Sequence, residues 1–149
     1  MKPAGAQGGF SLIESLVALV VLSVGLLGIA ALYVTALREG RTALLRSEAV
    51  TLAGDMADRI RANSVGGAGY ALAAGAANQA VAACAVGGCT AAQMATTDKA
   101  QWTTLLQQGL PAGQGTIVVD AATTPLTYTL TISWQEPNVG AQSYVLRVQ

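Results

Sequence analysis

The chain holds eight basic and eight acidic side chains, two cysteines and no histidine in 149 residues. Without an imidazole there is no base poised near neutral pH and no His ligand for zinc. Acid–base chemistry would then need paired carboxylates, and the late acids Asp98, Asp120 and Glu136 are scattered along the sequence. Cys84 and Cys89 have four residues between them. A redox pair ordinarily has two intervening residues, and a zinc site here would lack two further ligands. A disulfide needs an oxidising compartment, so spacing alone leaves the three readings open. One carboxylate is conspicuous: Glu14 sits just inside a long apolar run, where a charge is tolerated only with a partner. No residue earns a catalytic, cofactor-binding or metal-binding role, and an enzyme is rejected. Beyond residue 61 the only basic residues are Lys99 and Arg147, too few for a nucleic-acid-binding stripe.

The elements that carry these residues begin with residues 15–37, SLVALVVLSVGLLGIAALYVTAL, which contain no charge. As a helix they reach about 34 Å, enough to cross a hydrocarbon core of about 30 Å. A secretory signal has a shorter apolar region followed by a cleavage site; here the polar leader MKPAGAQGG comes first. Charge counting opposes export of the C-terminal part. Lys2 precedes the span, whereas Arg38, Arg41 and Arg46 come after it, which by the positive-inside rule places that part in the cytoplasm. Past the span, Leu45, Ala49, Leu52, Met56 and Ile60 recur at helical spacing. Arg46, Glu48, Asp55, Asp58, Arg59 and Arg61 read as a solvated face, and Asn63, Ser64, Gly66 and Gly67 as the helix stop.

Residues 65–89 are rich in Gly and Ala and read as a poorly packed loop ending at the two cysteines. Thr90 and Gln93 have capping-box spacing at the head of a helix closed by Gly109 and Pro111. Met94, Trp102, Leu105 and Leu106 are its expected apolar side. In LTYTLTISWQ, Leu126, Tyr128, Leu130, Ile132 and Trp134 alternate with polar residues, which predicts a strand with one buried face. GTIVVD before it and SYVLRV after it are further strands, and Pro137, Asn138 and Gly140 turn the chain into an antiparallel hairpin.

At Gly9, Phe10, Ser11, Leu12, Ile13 and Glu14 the sequence resembles the prepilin N-terminus shared by type IV pilins and type II secretion pseudopilins. The resemblance covers the leader and the apolar segment. It implies an α+β fold: a long N-terminal stalk helix, transmembrane in its first half, packed on a small C-terminal antiparallel sheet head. The implied divisions are a leader 1–9, a transmembrane and filament-core helix 10–37, an amphipathic second half of the stalk 38–64, and a periplasmic head with a disulfide loop 65–149. It further implies cleavage by a prepilin peptidase between Gly9 and Phe10, N-methylation of Phe10, and pairing of Glu14 with the Phe10 amine of a neighbouring subunit to set register. Gly25 and Gly28 lower helix propensity; they serve either loosening during assembly or close helix packing. A periplasmic head would make Cys84 and Cys89 a disulfide.

The order of head features narrows this. A small-residue stretch, a close Cys pair followed by TAAQMATTDKAQW, an LPAG turn and a late ISW strand are similar to the minor pilins that initiate or modify pilus assembly. The implied partners are sibling minor pilins, the major pilin, the inner-membrane assembly platform and, before extraction, membrane lipid. No cofactor and no nucleic acid is implied. The implied location is a single-pass inner-membrane protein that reaches the cell surface in the pilus. The stretch GGAGYALAAGAANQ matches no signature of that group. I-type pseudopilins share the leader and a small head without the paired cysteines, and a tip adhesion module is the other competing reading.

Overall fold

In α1, Leu12–Ala62, two physical regimes succeed one another along a single 51-residue helix. The structure is a computed structural model describing residue 9, residues 11–137 and residues 139–149. The leader with Lys2, the residue Phe10 and the turn residue Asn138 lie outside the described residues. The chain divides into two compact units, Met1–Arg41 and Thr42–Gln149.

In the first unit every described side chain of the helix is exposed, including Leu12 at 82%. Ser23 and Thr35 turn their hydroxyls back to Val20 O (2.8 Å) and Ala31 O (3.2 Å), so these two hydroxyls in the apolar run are satisfied within the helix. The helix continues through Gly25 and Gly28, and a Cβ at either would meet open space.

In the second unit the same helix is amphipathic. Ala49, Leu52, Ala53, Met56, Ala57 and Ile60 are buried, one stripe at spacings of three and four. The alanines let neighbouring elements approach closely, and Trp102 Nε1 donates to Leu52 O at 2.8 Å. After Ala62 the chain makes a 3-10 segment, Ser64–Tyr70, broken at Gly67 (φ 46°, ψ −127°), a backbone region that favours glycine. The Gly/Ala-rich segment is not uniformly a poorly packed loop. Tyr70 is fully buried, Leu72 is 5% exposed, and both belong to the core. Leu72 exchanges two backbone hydrogen bonds of 2.9 Å with Ile117.

A single helical turn, α2 (Ala82–Ala85), precedes α3 (Ala91–Gly109). The capping box forms at α3 as its spacing predicts: Thr90 Oγ1 accepts from Gln93 N at 3.3 Å, and Gln93 Oε1 accepts from Thr90 N at 2.9 Å. Its buried stripe is Ala95, Asp98, Lys99, Trp102 and Leu106. Met94 and Leu105, expected on that side, are 37% and 38% exposed; at about 100° per residue they lie on the flank of the Trp102 face. Thr90→Ala should cost about 1 kcal/mol of head stability, the usual worth of such a cap, read as a shift in the urea unfolding midpoint.

The sheet is antiparallel in the order β1 (Gln114–Asp120), β2 (Thr127–Glu136), β3 (Gly140–Val148). Leu130 faces Ile117 on one side and Leu146 on the other. Tyr128, Leu130, Ile132 and Trp134 are buried and Leu126 packs beside them, so the alternation legible in β2 becomes the inner face, completed by Ile117 and Val148. A long N-terminal helix, apolar in its first half, followed by a small three-stranded antiparallel sheet, is the α+β pilin-like architecture that the sequence suggested.

Candidate functional site

Two groups of residues stand out: the N-terminal turn of α1 and a polar network under the head. Gly9 is exposed. Glu14 lies in the first turn of α1, exposed, its N–H donating to Ser11 O at 3.0 Å. A carboxylate there complements the helix dipole, and no side-chain partner reaches it among the described residues. Around it the helix presents a largely apolar surface, Leu12, Ile13, Leu16, Val17 and Leu19 all exposed, with Ser11 and Ser15 beside the carboxylate. A surface of this kind must be covered by lipid or by other helices.

The polar network was not legible in the sequence. Tyr70 Oη donates to Asp98 Oδ2 at 2.7 Å and receives Asn63 Nδ2 at 3.1 Å. Arg59 reaches Asp98 Oδ1 at 3.2 Å, Asp55 Oδ2 at 2.9 Å and Gln101 Oε1 at 2.8 Å. Lys99 Nζ donates to Gly69 O (2.7 Å) and Ala71 O (3.1 Å), and Thr97 Oγ1 accepts from Val81 N at 3.0 Å. Thr97, Asp98 and Lys99 thus pin the Gly/Ala-rich segment onto α3. Arg59, expected on the solvated face, is drawn into this network, while its partner Asp55 stays partly exposed. The only sequence signal was the run of four polar residues, Thr96 to Lys99, in mid-helix between Ala95 and Trp102.

Of the late acids, Asp98 and Glu136 are buried and Asp120 is exposed, and they do not form one site. Glu136 Oε1 accepts from Trp134 Nε1 (2.9 Å) and Oε2 from Thr42 Oγ1 (2.7 Å), which ties β2 to the second half of α1. Cys84 and Cys89 form a disulfide with their Cα atoms 4.8 Å apart. It closes a small loop directly before the α3 cap, with Val86 exposed at its tip. Among the described residues no three Cys, Asp or Glu side chains come together to hold a metal.

Burial, reinforced by the hydrogen bond to the Asp98 carboxylate, pushes the Tyr70 hydroxyl far above its ordinary value, and burial also raises Tyr128. Burial lowers Lys99. A tyrosine with a raised folded-state pKa holds its proton where the unfolded chain releases it. Its contribution is therefore complete below about pH 10 and lost as pH climbs above that value. Lys99 has the opposite sign, because the unfolded chain binds its proton more tightly, and it offsets part of the loss. Head stability should fall above about pH 10, and Tyr70→Phe should flatten that limb while lowering stability at neutral pH by about 1 kcal/mol. Urea unfolding midpoints at pH 7 to 11 measure both.

Comparison with known sequences places these features. Residues 5–30 match the prokaryotic N-terminal methylation motif. Residues 31–100 match the Tt1218-like family, described as type IV pilin Tt1218. All three strands lie beyond both matches. No curated protein and no solved structure gives a significant match to the chain.

Proposed function

We propose, for a type IV pilin sequence that carries an N-terminal methylation motif, the role of a minor pilin of the PilV type, a non-catalytic subunit that helps initiate or modify pilus assembly. A prepilin peptidase cuts between Gly9 and Phe10, and Phe10 is N-methylated. The apolar half of α1 holds the chain in the inner membrane as a single span with the head in the periplasm. The subunit then joins sibling minor pilins in a priming or tip complex and is extracted by the assembly platform into a filament of major pilin. Glu14 pairs with the Phe10 amine of a neighbour, and the sheet edge and loops of the head choose partners.

The observation that carries this reading is the methylation motif running directly into a helix that is exposed at every described residue through Arg41. A surface of that extent fits a segment lodged first in lipid and later among like helices. The Cys84–Cys89 disulfide supports an oxidising location for the head, against the placement suggested by Arg38, Arg41 and Arg46.

Intact-mass and N-terminal analysis of the protein from membranes and from sheared surface filaments tests the proposal. A chain beginning at N-methylated Phe10 in sheared filaments is the expected result. The same species confined to membranes favours a pseudopilin, and an uncleaved Met1 chain overturns the leader assignment. Deletion separates the functions: fewer surface pili for a priming subunit, normal pili with lost attachment for an adhesin, and lost exoprotein secretion for a pseudopilin.

A further inference from the structure

Tyr128 is 5% exposed, yet its hydroxyl makes no hydrogen bond among the described residues. The other large buried polar side chains are engaged: Tyr70 Oη donates to Asp98, Trp102 Nε1 to Leu52 O and Trp134 Nε1 to Glu136. Among the described residues no fully enclosed side-chain nitrogen or oxygen lacks a partner, so the Tyr128 oxygen must open onto accessible space. Tyr128 lines a cleft of about 280 Å³ at the end of α1, bounded by the approach to β2 and the residue after β3. A buried hydroxyl at such an opening is satisfied by whatever fills it.

The lining selects the chemistry of that occupant. Burial holds the Tyr128 proton in place by raising its pKa, so the hydroxyl offers a donor and wants an acceptor. Arg61 spends only Nη1, on the exposed Asp58 at 2.9 Å, a pair worth little in water, and keeps its other N–H groups. The Ser64 hydroxyl is a third donor with no partner among the described residues. No acidic side chain lines the cleft. Three donors, one of them cationic, suit a carboxylate. Beside them Ile60, Pro125 and Leu126 form an apolar wall, which suits an aliphatic side chain. On the rim Gln149 donates through Nε2 to Thr127 Oγ1 at 3.3 Å, which leaves its Oε1 to accept from an amide N–H.

We propose that this cleft captures the carboxyl-terminal residue of a partner polypeptide, one ending in an aliphatic side chain. Such a residue carries together the three groups the lining complements: a carboxylate for Arg61, Tyr128 and Ser64, an aliphatic side chain for the apolar wall, and a peptide N–H for Gln149. A free aliphatic acid lacks the N–H, and an internal peptide segment lacks the main-chain carboxylate. The inference rests on the head alone and stands independently of leader cleavage and filament entry.

The test is a chemical-shift titration of the 15N-labelled full chain in nonionic detergent micelles. The probes are N-acetylglycylleucine with a free carboxylate, its carboxamide, N-acetylglycylglycine, and isovalerate as a branched acid without a peptide group. Millimolar N-acetylglycylleucine should shift the amides of Ser64, Leu126 and Gln149. The carboxamide should bind about tenfold more weakly for loss of the charge-assisted bonds. N-acetylglycylglycine should also lose about tenfold, for want of the buried side chain. Isovalerate should lose about fivefold, the effect of one hydrogen bond. Tyr128→Phe is the decisive variant. It should weaken binding about fivefold and leave the urea unfolding midpoint at pH 7 unchanged, because the hydroxyl bonds nothing within the protein. Arg61→Gln, at an exposed position, should weaken binding about tenfold. No shift with N-acetylglycylleucine, equal binding of its carboxamide or of isovalerate, wild-type binding by Tyr128→Phe, or a lowered midpoint for that variant would each overturn the proposal.

Discussion

Glu14→Ala is expected to remove the protein from sheared surface filaments while its level in the membrane fraction stays unchanged. The side chain lies in the first turn of α1 on a largely apolar surface, with no side-chain partner within the described part of its own chain. In lipid it sits near the interface, where a carboxylate keeps access to water and headgroups. Among packed helices that access is gone, and a charge stays only when paired. In the proposed filament the partner is the amine of Phe10 on a neighbouring subunit. Removing one member of a desolvated pair leaves the other uncompensated, so the filament-to-membrane ratio should fall by about tenfold or more. Glu14→Gln keeps the shape and discards the charge, and it should fail equally if charge pairing is the cause. Immunoblots of sheared and membrane fractions read the ratio. Normal recovery of Glu14→Gln in filaments would show that size and hydrogen bonding, rather than charge, carry the role.

Trp102→Ala should be the most damaging single change in the head, costing about 3–5 kcal/mol of a total that for such domains is only about 5–15 kcal/mol. The indole is fully buried, fills the space under Gly115, and donates to Leu52 O at 2.8 Å. It thereby joins the stalk stripe, α3 and β1 at one point. The Ala variant would leave Leu52 O without its donor and the space under Gly115 unfilled. Urea unfolding of the detergent-purified full chain, monitored by near-UV circular dichroism, should show a broadened or absent transition. Met94→Ala, at a partly exposed position on the same helix, serves as the control and should change stability by less than about 1 kcal/mol.

Much of the architecture was legible because it is periodic. The stripe Leu45, Ala49, Leu52, Met56 and Ile60 could be read at helical spacing, and it packs against the core as read, with Leu45 partly buried at its margin. The alternation from Leu126 to Trp134 marked both the strand and its inner face. The Thr90–Gln93 spacing carried its own hydrogen-bond logic. Met94 and Leu105 misled because an apolar residue beside a buried stripe looks the same in sequence as one within it. Tyr70 and Leu72 were hidden by composition, since their Gly and Ala neighbours resemble an unpacked linker while these two side chains enter the core.

The sequence alone determined the elements and the class of surface each presents: an uncharged helix too long and too apolar to be left in water, a stripe that must be buried, and a strand with one wet face. These arise from local spacing and the free energy of removing apolar area from water. Only the tertiary structure decided which polar groups meet. Tyr70 finds Asp98 across 28 positions, Arg59 finds Asp98 across 39, and Thr42 finds Glu136 across 94. No periodicity encodes such pairs. They are selected when apolar faces dock, because each polar group carried inward must then be satisfied by whatever donor or acceptor the docking has placed beside it.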